Sequence, residues 1–317
     1  MLAIFEESHL INSVLVTGGA GFIGSHLVDG LLRDGYKVRI ADNLSTGSKT
    51  NIERLGKKVQ FVEGDLAECS VAEKACQGVD AVLHHAAIPS VPRSIQEPLL
   101  TQRAGELATL NVLNACVKNK VKRIVFAASS SAYGDTPTLP SHEGLAPKAL
   151  SPYAASKLAC ESYVSAFTAS YGIDGISFRY FNIFGPRQDP SSPYSAVISV
   201  FLQKMSRGER PIIYGDGQQT RDFTFVENVV SANLLALKAT KPLQGVVCNI
   251  GCGERVSLNE LVSELNIILG RKLEPEYQAA RTGDIKHSVA DIALAQKCVG
   301  YKPLVTFKEG LRRLVSS

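Results

Sequence analysis

A tyrosine and a lysine stand four positions apart in the run Ser151-Pro152-Tyr153-Ala154-Ala155-Ser156-Lys157-Leu158-Ala159-Cys160-Glu161. Ser-Pro is a favoured helix start, and the pattern stays helical to about Tyr171. Residues i and i+4 share one helix face, so the Tyr153 phenol and the Lys157 ammonium point into the same space. A cation beside a phenol favours the phenolate and lowers its pKa from a reference near about 10. Tyr153 is therefore a candidate general base. Upstream, Ala127-Ala128-Ser129-Ser130-Ser131-Ala132-Tyr133-Gly134 closes the apolar run from Arg123. Ser129, at the end of that run, can hydrogen-bond a reacting substrate hydroxyl. A Tyr-x-x-x-Lys pair is common on helices and gains its meaning from what positions it.

That setting begins at Thr17-Gly18-Gly19-Ala20-Gly21-Phe22-Ile23-Gly24-Ser25-His26, directly after Val14-Leu15-Val16. Gly18, Gly21 and Gly24 follow G-x-x-G-x-x-G, which turns a strand sharply into a helix whose free amides and positive dipole end face a pyrophosphate. Ile23, Leu27 and Leu31 recur every four residues, and Gly35 is a helix stop. The next apolar run, Val38 to Ala41, ends in Asp42, 18 residues beyond Gly24. An acid at about that distance accepts hydrogen bonds from the adenosine ribose hydroxyls and repels a 2′-phosphate, so the spacing predicts NAD rather than NADP. A nicotinium charge beside Tyr153 would add to the effect of Lys157.

The chain has 317 residues and is 45% hydrophobic, enough for one large core or for a nucleotide domain with a smaller partner. Lys and Arg total 34 against 30 Asp and Glu, a net +4 too small and scattered for a nucleic-acid surface. Seven cysteines, an odd number, lack paired metal-ligand spacing and read as reduced, mostly buried thiols of a cytoplasmic protein. No metal site is expected. No apolar run approaches the roughly 20 residues that span a bilayer, and no basic-then-apolar signal opens the chain.

Short apolar runs alternate with helical patterns: Val14 to Thr17, Val38 to Ala41, Val59 to Val62, Ala81 to His84 and Arg123 to Ala128, with Ile176 to Tyr180 and Val246 to Ile250 later. Such runs suit strands buried on both faces, which predicts an α/β fold with a doubly wound parallel sheet. The Pro-, Ser- and Gly-rich stretch from Gly185 to Gly217 is where chain leaves the sheet for a smaller lobe. The expected division is a nucleotide-binding domain over 1–180 with a returning segment near 224–252, and a substrate-binding domain over 181–223 and 253–317.

These motifs, joined by Asp42 to Gly47, Gly64-Asp65-Leu66, His85-Ala86-Ala87, Arg179-Tyr180-Phe181-Asn182 and Thr220-Arg221-Asp222-Phe223, resemble the extended short-chain dehydrogenase/reductase family. The likeness covers nearly the whole chain and falls in the NAD-dependent nucleotide-sugar epimerase/dehydratase branch. It implies Ser129, Tyr153 and Lys157 as the catalytic trio. It implies cofactor contacts from Gly18, Gly21, Phe22, Ile23, Gly24, Asp42, Asn43, Ser45, Thr46, Gly47, Asp65, Leu66, Ala86, Ala87 and Tyr180, together with Tyr153 and Lys157. Substrate contacts are implied for Ser129, Ser130, Tyr153, Asn182, Val197, Tyr214, Arg221, Arg281, Asp284 and Ser288. Arginine forks suit the diphosphate oxygens. Relatives pair the helix from about Leu107 and the helix bearing Tyr153 across a dimer, so a homodimer is expected.

Within the branch, dehydratases carry an Asp-Glu pair where Ser130 and Ser131 stand here, and decarboxylases a Glu at the second position. Two neutral serines cannot serve as the acid and base of elimination. A 4-epimerase remains, in which hydride leaves C4, the keto sugar rotates, and hydride returns to the other face. Ser288 stands where some epimerases have a bulky tyrosine against the sugar 2-substituent. A small residue there leaves room for an N-acetyl group, which favours UDP-N-acetylglucosamine with UDP-glucose second. A UDP-uronate 4-epimerase and a non-catalytic NAD sensor are the alternatives. One departure is Gly105, which stands where the family usually has an asparagine supporting the catalytic lysine, with Thr101 or Gln102 as candidate substitutes.

Overall fold

The computed structural model describes residues 11–189, 197–280 and 285–317. Seven parallel strands form the central sheet: β1 (Ser13–Thr17), β2 (Lys37–Asp42), β3 (Val59–Glu63), β4 (Ala81–His84), β5 (Arg123–Ser129), β6 (Asp174–Tyr180) and β7 (Val246–Ile250). Their spatial order is β7-β6-β5-β4-β1-β2-β3, and every pairing is parallel. All seven fall on the apolar runs read from the sequence. The order reverses between β1 and β4, and in open α/β sheets ligands bind outside the strand carboxyl ends at such a point.

Alternate residues of each strand feed separate cores on the two faces. Val14 and Val16 join one with Val125, Ala127, Ile176 and Phe178, covered by the helices Phe22–Arg33 and Val226–Lys238. Leu15 joins the other with Ile124 and Phe126, covered by the helices Cys69–Cys76, Ala108–Lys118 and Pro152–Tyr171. Each such aliphatic side chain contributes about 1.5–3 kcal/mol by leaving water, which is why these runs are mostly apolar. The helix Pro152–Tyr171 begins as its sequence dictates: Ser151 accepts from the Ala154 amide, Pro152 fills the first turn, and Gly172 closes the far end at φ +74°.

A third core lies apart, built on Phe184, Phe223, Phe225 and Phe307 with Ile198, Leu261 and Leu311. Three two-stranded sheets frame it: Ile183–Phe184 with Thr224–Phe225, Thr220–Arg221 with Val256–Ser257, and Ile212–Tyr214 with Glu276–Gln278. The Gly185–Gly217 stretch supplies this region with the helix Val197–Ser206. The helix Ala293–Val299 leaves the smaller region, setting Ala295, Val299 and Tyr301 into the main core beneath the sheet. Among the described residues no helix is long and apolar enough to cross a membrane.

Candidate active site and cofactor cradle

At the carboxyl end of β1 the chain turns through Gly18 at φ +68°, a left-handed conformation suited to glycine. A Cβ on Gly18 would lie 2.8 Å from the Ala86 amide nitrogen, and one on Gly24 would drive into the Gly18 carbonyl. The helix Phe22–Arg33 starts at Gly21 with no side-chain cap and no acid in its first turn. Its leading amides therefore face outward without an intramolecular anion. Asp42, ending β2, accepts from the Ala20 amide at 2.9 Å through Oδ2 and from the Leu44 amide at 2.8 Å through Oδ1. Burial pushes its carboxyl up, and the two amides pull it back down. One lone pair on each oxygen is left for ribose hydroxyls.

The following loop is held close by. Asn43 accepts from the Ser45 amide at 3.1 Å, the Ser48 amide donates to Ala20 O at 3.0 Å, and a Cβ on Gly47 would meet Ala20. Thr46 lies between these anchors. At the β3 exit Asp65 accepts from the Ala67 amide and from Arg103, while Leu66 is buried in the second core. Ala86 and Ala87 leave β4 half-buried. Tyr180 ends β6, its hydroxyl accepting from Asn233 at 2.8 Å and lying 2.9 Å from His85 Nε2. The uncapped helix and the glycine cradle, which added Cβ atoms would fill, fit a dinucleotide.

Across the crevice, Lys157 is 5% exposed and donates from Nζ to Ala127 O at 2.7 Å. Its ammonium lies 4.8 Å from the Phe126 ring centroid and 6.0 Å from that of Tyr153. Burial lowers the lysine to about 8, so it keeps its charge at neutral pH. The Ser129 hydroxyl accepts from the Ser131 amide at 3.2 Å and the Ser131 hydroxyl at 2.9 Å. With both lone pairs engaged, its proton is left to face the Tyr153 phenol, whose ionised form Ser129 favours. The expected lowering of Tyr153 is corrected: burial raises the phenol, and the Ser129 bond offsets this only in part. Ser130 opens the short turn Ser130–Tyr133 beside it.

Gly105 lies in a wide helical turn, Arg103–Leu107, ahead of the helix Ala108–Lys118. A Cβ there would collide with Ser156 Oγ. Thr101 donates its hydroxyl to Glu97 O and Gln102 is exposed, so neither replaces the family asparagine.

On the smaller region's side, Arg221 donates from Nη1 to Thr220 O at 3.0 Å. The segment bearing Ser288 pairs with the same strand, the Ser288 amide donating to Thr220 O at 3.1 Å. Asn182 sits at φ +37° as the chain leaves β6. Tyr214 ends its short strand with its carbonyl accepting from Gln219, and Val197 begins a helix. Arg281 and Asp284 lie outside the described residues. Sequence reasoning assigned no role to Asp222, which is fully buried and accepts from the amides of Cys252 at 2.7 Å, Gly253 at 2.9 Å and Ala290 at 3.0 Å. Burial raises its carboxyl to about 6 against the pull of those amides. Its one sequence signal is its place beside Arg221.

The family model for the NAD dependent epimerase/dehydratase family matches residues 14–251. The chain belongs to that family. A UDP-N-acetylglucosamine 4-epimerase from Methanobrevibacter ruminantium, solved with UDP-N-acetylmuramic acid, is 40% identical at a TM-score of 0.91, over 97% of this chain and 98% of that one. A UDP-glucose 4-epimerase from Thermus thermophilus, solved with NAD, is 36% identical at 0.86, over 96% and 98%. The UDP-glucose 4-epimerase of Mycolicibacterium smegmatis is 34% identical over 306 residues, 95% of this chain and 96% of that protein. This family member is an enzyme that works with NAD.

Proposed function

We propose that the chain interconverts UDP-N-acetylglucosamine and UDP-N-acetylgalactosamine, the 2-acetamido members of the UDP-sugar 4-epimerase class to which it belongs. The observation that carries the reading is Tyr153 beside a buried Lys157 that Ala127 O fixes, its ammonium 6.0 Å from the phenol ring, with Ser129 ending the adjacent strand and serines and no carboxylates at positions 130 and 131. Bound NAD supplies the hydride acceptor and a positive ring charge. Tyr153 takes the sugar 4-hydroxyl proton at its phenol oxygen and returns it after the keto sugar turns over. Ser129 holds the phenol oxygen and then the substrate oxygen, while Lys157, fixed by Ala127 O, keeps positive charge beneath the phenol. NAD is held by the outward amides of residues 22–24, with Asp42 on the ribose hydroxyls. Arg221 and Asn182 are assigned to the diphosphate, and Ser288 to the wall facing the sugar 2-substituent.

Support for the acetamido preference is the short side chain at 288 and the 40% likeness to the Methanobrevibacter enzyme. The homodimer belongs to the same proposal, supported by the exposed Ile95, Leu99 and Leu150 that lead into its two helices. The test is product analysis by NMR after incubation with UDP-N-acetylglucosamine, UDP-glucose and UDP-glucuronate, without added cofactor. The expected result is fastest formation of the 4-epimer from the acetamido sugar and no build-up of NADH. Turnover of the uronate alone would contradict the substrate assignment, and net NADH the reaction type.

A further inference from the structure

Between the cofactor turn and the catalytic helix runs a buried hydrogen-bonded column. Thr17, at the end of β1, is fully buried, and its Oγ1 accepts from the His85 amide at 3.0 Å and the Ala86 amide at 3.1 Å. Two accepted bonds use both lone pairs of a hydroxyl, so the Thr17 proton goes to the remaining neighbour, His84 Nδ1 at 2.7 Å. At the other side of the ring, Thr109 donates to Gly105 O at 2.7 Å and accepts from Cys160 Sγ at 3.3 Å. One lone pair is left for His84 Nε2 at 3.0 Å. The two hydroxyls, belonging to a strand and to a helix, independently require the same ring: Nδ1 accepting and Nε2 carrying the proton.

We infer that His84 is a positioning residue for the cofactor turn, a neutral Nε2–H imidazole that braces Thr17 through the sheet against Thr109 and the wide turn at Gly105. Its acceptor nitrogen fixes the rotor of Thr17, and that rotor holds the two amides at the β4 exit. Ala86 is thereby pressed to the place where Gly18 tolerates no Cβ. At its far end the column grips the Gly105 carbonyl, beside the helix that carries Lys157, with no side chain from residue 105. Burial first, then the charge of Lys157 and His85, takes the imidazole down to about 3, and Cys160 faces it through Thr109. The ring therefore adds no charge beneath the catalytic pair.

The tests are a tautomer measurement and a binding cycle. In the full-length protein, 15N NMR of labelled histidine should show His84 with Nε2 protonated and Nδ1 bare, unchanged between about pH 6 and 9, far above its titration range. NAD affinity of stripped protein is then measured for Thr109→Val, His84→Phe and the double variant. Thr109 belongs to no assigned cofactor contact, yet Thr109→Val should weaken NAD about tenfold, within the range usual for coupled sites. That loss should vanish in the His84→Phe background, because the link is already cut. An Nδ1–H ring, a titration in that pH range, an unaffected NAD affinity in Thr109→Val, or an equal loss in both backgrounds would each overturn the assignment. The NMR arm stands even where His84→Phe fails to fold.

Discussion

On the cofactor side of the crevice, Gly18, Gly21, Gly24 and Asp42 lie on one strand–turn–helix–strand unit, and backbone closeness sets the identity of Gly18 and Gly24. On the side proposed to face the sugar, Arg221 and Ser288 stand on segments that converge through one carboxylate, Asp222, whose amide partners are 30, 31 and 68 positions away. The first wall is shape imposed by chain geometry. The second is assembled from distant pieces by a buried charge, which in a dry setting must be fully hydrogen-bonded. A family can hold such a cradle constant and vary the sugar wall, because the two share little beyond the catalytic helix.

The largest expected effect touches neither wall. Tyr153→Phe removes only a phenolic oxygen from the helix between them, so kcat should fall by about 10²–10⁴-fold with KM and bound NAD nearly unchanged. Retained turnover would mean that the proton leaves by another route.

Next come paired variants that separate the walls. Gly24→Ala forces a Cβ onto the Gly18 carbonyl, overpacking that costs about 1–3 kcal/mol and should release NAD. Asp222→Asn removes an acceptor from amides that stay buried, about 1–3 kcal/mol, and should raise the UDP-sugar KM roughly ten- to hundredfold by the same energy while NAD content holds. Loss of NAD in Asp222→Asn would show that the two walls are not separable. The pH dependence has a definite sign. Because the folded carboxyl, at about 6, lies above its reference of 3.8, the native state holds this proton more tightly. Its contribution to stability is complete below the reference and is lost as pH rises through about 6. Asp222→Asn should flatten that portion of a stability-against-pH curve from thermal melts.

The seven sheet strands were legible because strands covered by helices need mostly apolar runs, and the glycine turn because its residues are neighbours in sequence. The sugar wall was only half legible. Thr220–Arg221 is too short for any period, and the partners of Asp222 cannot be inferred from spacing. The shared face of Tyr153 and Lys157 was readable from i, i+4 geometry and Ser129 came from the family resemblance, but the direction of the Tyr153 shift was not readable, since it depends on how deeply the fold buries the phenol. Gly105 read as a departure from the family pattern. Only the structure shows Ser156 filling the space beside it and Thr109 holding its carbonyl.

A smaller effect sharpens the sugar side. Ser288 is half-buried on the segment paired with Thr220, and Ser288→Tyr fills volume there without altering Tyr153, Lys157 or Arg221. The kcat/KM ratio of UDP-N-acetylglucosamine to UDP-glucose should fall about tenfold, a usual size for a steric change in a pocket. An unchanged ratio would remove Ser288 from the specificity wall.

The most direct test of the whole account follows the hydride. UDP-N-acetylglucosamine deuterated at C4 is incubated with purified enzyme in ordinary water, without added NAD, and the product is analysed by NMR and mass spectrometry. One bound cofactor must take the deuteride and return it to the opposite face of the same carbon. The account predicts UDP-N-acetylgalactosamine with the deuterium retained at C4. Deuterium washed out to solvent would contradict it, because epimerisation would then proceed by proton removal at carbon rather than through the cofactor.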